Sequence, residues 1–201
     1  MHDHFSIRSD GYDTTDYRLK YVDEMAAAIR RRAPLSVEST LLDFGAGTGL
    51  LTERLAPHVG KIIAVDISPS MIAQLREKTP ELPCTVETLQ RDLTQGELPD
   101  ITVDGIVSTM TLHHIDDPAG LLKRLYPLLR RGGFIALCDI DVEDGSFHTL
   151  DTGVRHYGFE RQHIREWMEG AGFEKISVED ATVIVKPHGR YPAFIAYGEK
   201  R

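Results

Sequence analysis

The sequence predicts an α/β domain built on a doubly wound, largely parallel sheet with helices on both faces. Three observations carry that prediction. An apolar run, Leu41-Leu42, passes through Asp43-Phe44 into Gly45-Ala46-Gly47-Thr48-Gly49, and a helical pattern begins at Leu50. Strand, glycine turn and helix in that order open a ligand-binding α/β unit. Apolar strands then alternate with helical patterns from residue 41 to residue 140. Each of the first four strands also ends on a polar or small residue, and open α/β sheets bind ligands at the carboxyl ends of their strands.

Taken in order, residues 1–15 are polar, with Phe5, Ile7 and Tyr12 as the sizeable apolar groups. Leu19, Val22, Met25, Ala26 and Ile29 recur at helical spacing from Asp16 to Arg32, with Thr15 or Asp16 as cap and Pro34 as stop. This helix is expected to pack on the sheet edge or to cover the ligand site. Leu50 to Pro57 reads as the helix after the glycine loop, and Lys61 to Asp66 as a short apolar strand ending in a carboxylate. Ser68 then caps a helix with Pro69 at its tolerated first position and Met71, Ile72 and Leu75 facing inward. Cys84 to Thr88 is a third strand, followed by the loop Arg91-Asp92-Leu93. Ile101 to Thr109 is a fourth, running out into Met110-Thr111-Leu112-His113-His114. Asp117 and Pro118 open a helix through Leu121, Leu122, Leu125 and Leu128, which Gly132-Gly133 is expected to end before a strand from Phe134 to Ile140. Residues 141–158 are irregular, acidic and His-bearing. A helix from Phe159 to Ala171, a strand from Lys175 to Lys186, a turn at Pro187-His188-Gly189-Arg190 and a returning strand from Pro192 to Tyr197 complete the chain.

A length of 201 residues suits one domain with a full core. Apolar and charged contents of 41% and 27% are those of a soluble globular protein, and a formal net charge of −8 argues against a nucleic-acid partner. Met1 to Asp16 is too polar for a secretory leader, and no apolar run approaches the ~20 residues of a membrane span. Cys84 and Cys138 fall in expected strands, as buried thiols do in a reducing compartment. The expectation is a cytoplasmic protein, monomeric or a homodimer, with one domain over residues 1–201.

The glycine loop defines the ligand's chemistry. A dinucleotide fingerprint spaces its glycines G-x-G-x-x-G, and its loop meets a pyrophosphate. Here the spacing is G-x-G-x-G, and Leu50 stands where the fingerprint's third glycine would pack. Asp43 lies two residues before the first glycine, and no Lys or Arg occurs between Leu41 and Glu53. A carboxylate there opposes a diphosphate and favours a ligand with positive charge. Asp66 follows near the ~20-residue offset at which an acid meets a ribose. Its bland alternative is a helix N-terminal acid, and that of Asp92 is a plain surface charge.

These features, in this order, resemble the seven-stranded, class I S-adenosylmethionine-dependent methyltransferases, in particular the small single-domain branch related to quinone-biosynthesis methyltransferases. The likeness is strong over residues 40–140 and architectural over the two ends. It implies a seven-stranded sheet whose last strand is antiparallel, which fits the hairpin around Gly189. It implies a cofactor-binding core at 40–140, an N-terminal lid or helix at 1–34, and an acceptor-side loop, helix and hairpin at 141–201. S-Adenosylmethionine would be the cofactor, S-adenosylhomocysteine its product, and a small molecule the methyl acceptor. By the same resemblance Asp43, Gly45, Ala46, Gly47 and Gly49 wrap the methionine part. Asp66 takes the ribose hydroxyls, Ile67 packs on the adenine with Met71 nearby, and Asp92 caps the adenine amino group beside Leu93. Thr109 and Met110 border the transferred methyl. The chemistry agrees, because the donor carries a sulfonium and an ammonium.

Acceptor residues are less marked. Neighbours at a strand end point to different sides, so one of His113 and His114 is expected to face the pocket. His113 is the candidate catalytic residue, with His148 and His156 as further candidate bases for an acceptor that must lose a proton. Tyr12, Tyr17, His113, His148 and His156 are the candidate acceptor pocket, and Met25 belongs either to a lid with the two tyrosines or to the core. Asp139, Asp141, Glu143 and Asp144 lie near these histidines, but no tight H-x-x-x-H spacing accompanies them, so no metal is expected. Two other readings stand beside methyl transfer: a non-catalytic S-adenosylmethionine-binding or sensing protein, and a nicotinamide-dependent oxidoreductase, which Leu50 and Asp43 disfavour.

Overall fold

The computed structural model describes residues 16–148 and 153–201, except for the side chains of Asp16 and Tyr17. Tyr12 and the Tyr17 side chain therefore lie outside the described residues. Strands β1 (Thr40–Phe44), β2 (Lys61–Asp66), β3 (Thr85–Gln90), β4 (Val103–Thr109), β5 (Leu129–Ile140), β6 (Glu174–Lys186) and β7 (Gly189–Glu199) form one sheet. Its order is β3-β2-β1-β4-β5-β7-β6. Strands β1 to β5 pair in parallel, and β7 runs antiparallel to both β5 and β6. The seven-stranded, mostly parallel sheet with an antiparallel last strand is as expected.

Helices α1 (Asp16–Arg32), α2 (Leu50–Leu55), α3 (Pro69–Lys78), α4 (Pro118–Leu125) and α5 (Arg161–Ala171) cover the two faces. The two-residue period of a strand sorts the core into two layers. Leu41, Ile62, Ala64, Phe134 and Ala136 pack with Met25 and Ile29 of α1 and Leu51 and Leu55 of α2. Their neighbours Leu42, Ile63, Val65, Ile135 and Leu137 pack with Leu121, Leu122 and Leu125 of α4 and Ile164 and Met168 of α5.

Helix α1 lies on the sheet face beside the edge strand β6: Met25 and Ile29 are fully buried, and Glu24 and Arg32 bond Thr182 and Ser177 of β6. Four expectations are corrected. The helix expected through Leu128 stops at Leu125, because Pro127 has no N–H to continue it; a short 3-10 turn follows and β5 begins at Leu129. Gly132-Gly133 thus lies inside that strand, where a Cβ on Gly133 would meet the Arg130 and Asp104 carbonyls at 2.9 Å. Phe159 is not helical but bridges Asp141, and α5 starts at Arg161. Cys84 sits just before β3 and is half-buried, whereas Cys138 is buried in β5 as expected.

Candidate functional site

The strand order reverses between β1 and β4, and a cavity of about 600 Å³ opens at their carboxyl ends. Its floor is the glycine loop. Gly47 has φ 56° and nothing within 4 Å of where a Cβ would stand, so its backbone is bare toward incoming groups. Gly45 answers a different need: a Cβ there would lie 2.2 Å from the Thr111 side chain, which packs on the loop from beyond β4. At Gly49 a Cβ would strike Leu75 of α3 at 2.3 Å, so this third glycine takes the helix-packing role.

Four of the loop amides are already used. Gly45 and Ala46 donate to the Val65 carbonyl at 2.8 and 3.0 Å, Gly47 to Asp66 Oδ2 at 2.8 Å, and Gly49 to the Ala46 carbonyl at 2.9 Å. A diphosphate cradle needs such N–H groups turned outward. These four are turned inward, and that of Gly47 holds a carboxylate instead. Asp66 accepts a second backbone bond from Ser68 at 2.8 Å, so both of its oxygens are oriented at the cavity wall.

Asp43 lies under this floor rather than in it. It is 1% exposed, does not line the cavity, and accepts the Thr52 hydroxyl at 2.6 Å. Burial, opposed by the Thr52 bond and reinforced by the Asp66 charge, pushes its carboxyl up to about 7. Asp92 lines the far wall. Partial burial raises its carboxyl, but bonds from Thr94 and Gln95 and the charge of Arg124 outweigh this and hold it below the usual range. Arg124 braces the same loop by donating to the Leu93 and Gly96 carbonyls at 2.8 and 2.7 Å.

Among the expected cofactor residues, Gly45, Ala46, Gly47, Asp66, Ile67, Met71, Asp92, Thr109 and Met110 line the cavity. Met110 takes φ 55°, a left-handed conformation unusual for a side-chain-bearing residue, at the end of β4. Asp43, Gly49 and Leu93 stand behind the lining, Leu93 as a fully buried member of the α4-side core.

The histidines divide differently from expectation. His113 is 1% exposed and turned away from the cavity, with Nδ1 2.7 Å from Asp139 Oδ1; its neighbour His114 lines the cavity. Residues Leu112–His114 form a 3-10 turn, so strand alternation no longer decides which ring faces in. His148 and His156 do not line it either. His148 meets His113 at 3.2 Å, and His156 donates to the Ile115 carbonyl at 2.9 Å. The segment bearing His156 is strapped on by two more bonds, from the Arg155 and His156 amides to the His113 carbonyl at 2.9 and 3.1 Å. Arg18, Tyr21 and Val22 of α1, with Arg155, complete the cavity wall. The first three share a helical i, i+3, i+4 face and were readable from spacing; Arg155 arrives through chain return alone. No cluster of three metal-ligating side chains occurs among the described residues, and no helix there is long and apolar enough to cross a membrane.

Known proteins share this arrangement. Residues 42–137 match the family model for a methyltransferase domain. The chain is 34% identical over 111 residues to an uncharacterized methyltransferase of Mycobacterium tuberculosis, with 55% of each chain covered. It is 30% identical over 148 residues to phosphoethanolamine N-methyltransferase 3 of Arabidopsis thaliana, covering 71% of this chain and 30% of that one. The chain thus spans about half the length of these curated relatives, or less. A solved Thermotoga maritima structure, an S-adenosylmethionine-dependent methyltransferase described as a possible histamine N-methyltransferase, is 21% identical with a TM-score of 0.72 and 98% of both chains covered. Residues 42–137 thus carry a methyltransferase domain, and the whole chain shares the fold of S-adenosylmethionine-dependent methyltransferase structures.

Proposed function

We propose that the protein transfers the methyl group of S-adenosylmethionine to a small molecule, with S-adenosylhomocysteine as the other product. The observation that carries this is the oriented Asp66 carboxylate at a glycine floor whose amides face inward. Such a floor suits a ribose and a cationic methionine moiety and offers little to a diphosphate. The donor lies along Gly45 to Gly47, with its ribose on Asp66, its adenine between Ile67, Met71 and Asp92, and its methyl beside Thr109 and Met110. Residues 40–140 form the donor half; α1 and residues 141–201 shape the acceptor side. Methyl transfer is an in-line displacement, and holding donor and nucleophile in line supplies much of the rate. When the acceptor carries a proton, His114 takes it, since this histidine reaches the cavity. The phosphoethanolamine relative supports a small polar acceptor. Unpaired Cys84 and Cys138 support a reducing, cytoplasmic setting.

Calorimetry with S-adenosylmethionine, S-adenosylhomocysteine and NAD tests the donor, and an acceptor screen read by S-adenosylhomocysteine release tests the reaction. Binding of the two adenosyl ligands but not NAD is expected. Tight NAD binding with no response to S-adenosylhomocysteine would overturn the reading.

A further inference from the structure

Behind His114 stands a cluster that donor binding does not use. Asp139, at the end of β5, is fully buried and accepts from His113 Nδ1 at 2.7 Å, from the His113 amide at 3.2 Å and from the Ile140 amide at 2.8 Å. A carboxylate oxygen accepts, so Nδ1 of His113 carries the hydrogen and Nε2 faces His148 Nε2 at 3.2 Å. That contact holds one proton: two lone pairs would repel, and two N–H groups would collide. The three ring centroids of His113, His114 and His148 lie 4.3, 5.1 and 5.8 Å apart. His114 Nδ1 is 3.4 Å from the Gly153 carbonyl, which can only accept, so Nε2 is the basic nitrogen of its neutral ring.

Among the described residues, other charged groups near the cluster make contacts of their own. Phe147 packs on His148 at 4.8 Å and carries Lys186 Nζ 3.3 Å from its ring centre. Glu143 Oε2 accepts the Gly145 and Phe147 amides at 2.8 and 3.0 Å, and Arg155 pairs with Asp116 at 3.0 Å. Among the described residues, Asp139 is the carboxylate that bonds an imidazole of the cluster. Burying it unpaired would be costly, and the His113 Nδ1–H and the His113 and Ile140 amides offset that cost.

We propose that Asp139, His113 and His148 form a buried proton-sharing array that positions His114 and stabilises the proton it removes from the methyl acceptor. This rests on the methyl-transfer reading and narrows the acceptor to a protic nucleophile: an amine, a phenol or an acidic carbon. The acceptor's electron pair forms the bond to the methyl carbon, the carbon–sulfur bond breaks with its pair going to sulfur, and the acceptor's proton goes to His114 Nε2. Asp139, His113 and His148 act as positioning residues; none lines the cavity.

The test is histidine 15N NMR of the S-adenosylhomocysteine-bound full chain across the pH range, with His113→Asn beside it. Asparagine keeps a donor for Asp139 but has no counterpart of Nε2. In the unsubstituted protein His113 and His148 are expected to respond together to one proton. In His113→Asn the proton affinities of His148 and His114 are expected to change at least threefold. Independent titration of His113 and His148, or unchanged affinities in the variant, overturns the array. Should His113→Asn not fold, His148→Gln gives the same reading from the His113 signals. Calorimetry separates the two levels: no S-adenosylhomocysteine binding sinks the donor reading, whereas binding with independent histidines sinks the array alone. Among probes, phenol or phosphoethanolamine should be methylated in preference to thiocyanate, which has no proton to lose; the reverse preference overturns the acceptor class.

Discussion

Asp43 is the acid whose protonation the fold alters most usefully. Its folded carboxyl sits at about 7 against an ordinary 3.8, so the folded chain holds this proton more tightly than the unfolded one. The stability from that bound proton is complete below about pH 4 and is lost as pH rises through about 7. Asp43→Asn should therefore melt like the parent near pH 4 and be more stable at pH 8 by roughly 2–4 kcal/mol, as read by thermal denaturation at both values. A cationic ligand above Asp43 draws it toward ionisation, so donor affinity in the parent should rise several-fold between about pH 6 and 8 and do so less in the variant. A flat profile in both proteins would separate Asp43 from the ligand's charge. Asp66→Ala removes the oriented carboxylate itself and should weaken S-adenosylhomocysteine at least tenfold by calorimetry. At this scale the sequence singled out the acids but not their depth. Asp43 was legible as an acid before a glycine loop; that β1 buries it beneath the loop, rather than presenting it, follows from strand alternation combined with the partner Thr52 on α2. His113 was misread because a 3-10 turn replaces the strand's period there.

Among the elements, α5 is coupled to the segment after β5 through Arg161. Arg161 forks onto Asp141 with both bonds at 2.7 Å and reaches Asp180 of β6 at 2.7 Å. These carboxylates raise the guanidinium's already high proton affinity, and the planar fork fixes the start of residues 141–158. Arg161→Lys keeps the charge but not the fork. It should cost about 1–2 kcal/mol, lowering Tm by a few degrees, and speed amide exchange at Val142 and Phe159, whose backbones bond across this segment at 3.2 Å. Unchanged exchange at those two amides would show that the bridge stands without Arg161. Strand cores such as Lys61–Asp66 were legible residue by residue because both faces are buried and the run is continuously apolar. The α4–β5 junction was not. Leu128 continues a helical spacing that Pro127 has already broken, and the glycines after it serve a close strand contact rather than a helix exit.

The whole molecule places its ligand cavity where separate parts of the chain converge: the α1 face of Arg18, Tyr21 and Val22, the loop after β1, the ends of β2 and β4, and the strap at Arg155. No unfolded chain assembles those groups, so a ligand that fills the cavity binds the folded state alone and stabilises it by mass action. At a hundredfold excess over Kd the gain is about 2.7 kcal/mol, which for a domain of this size is a rise in Tm of roughly 5–10 °C. S-Adenosylhomocysteine should produce that rise in a thermal melt, and Asp66→Ala should shift the concentration needed upward at least tenfold. NAD should leave Tm unchanged, because the amides of Gly45, Ala46, Gly47 and Gly49 are committed within the protein and its diphosphate has no cradle. An equal response to NAD and S-adenosylhomocysteine would mean that the floor rearranges on binding, and the inward amides would then no longer distinguish the two ligands.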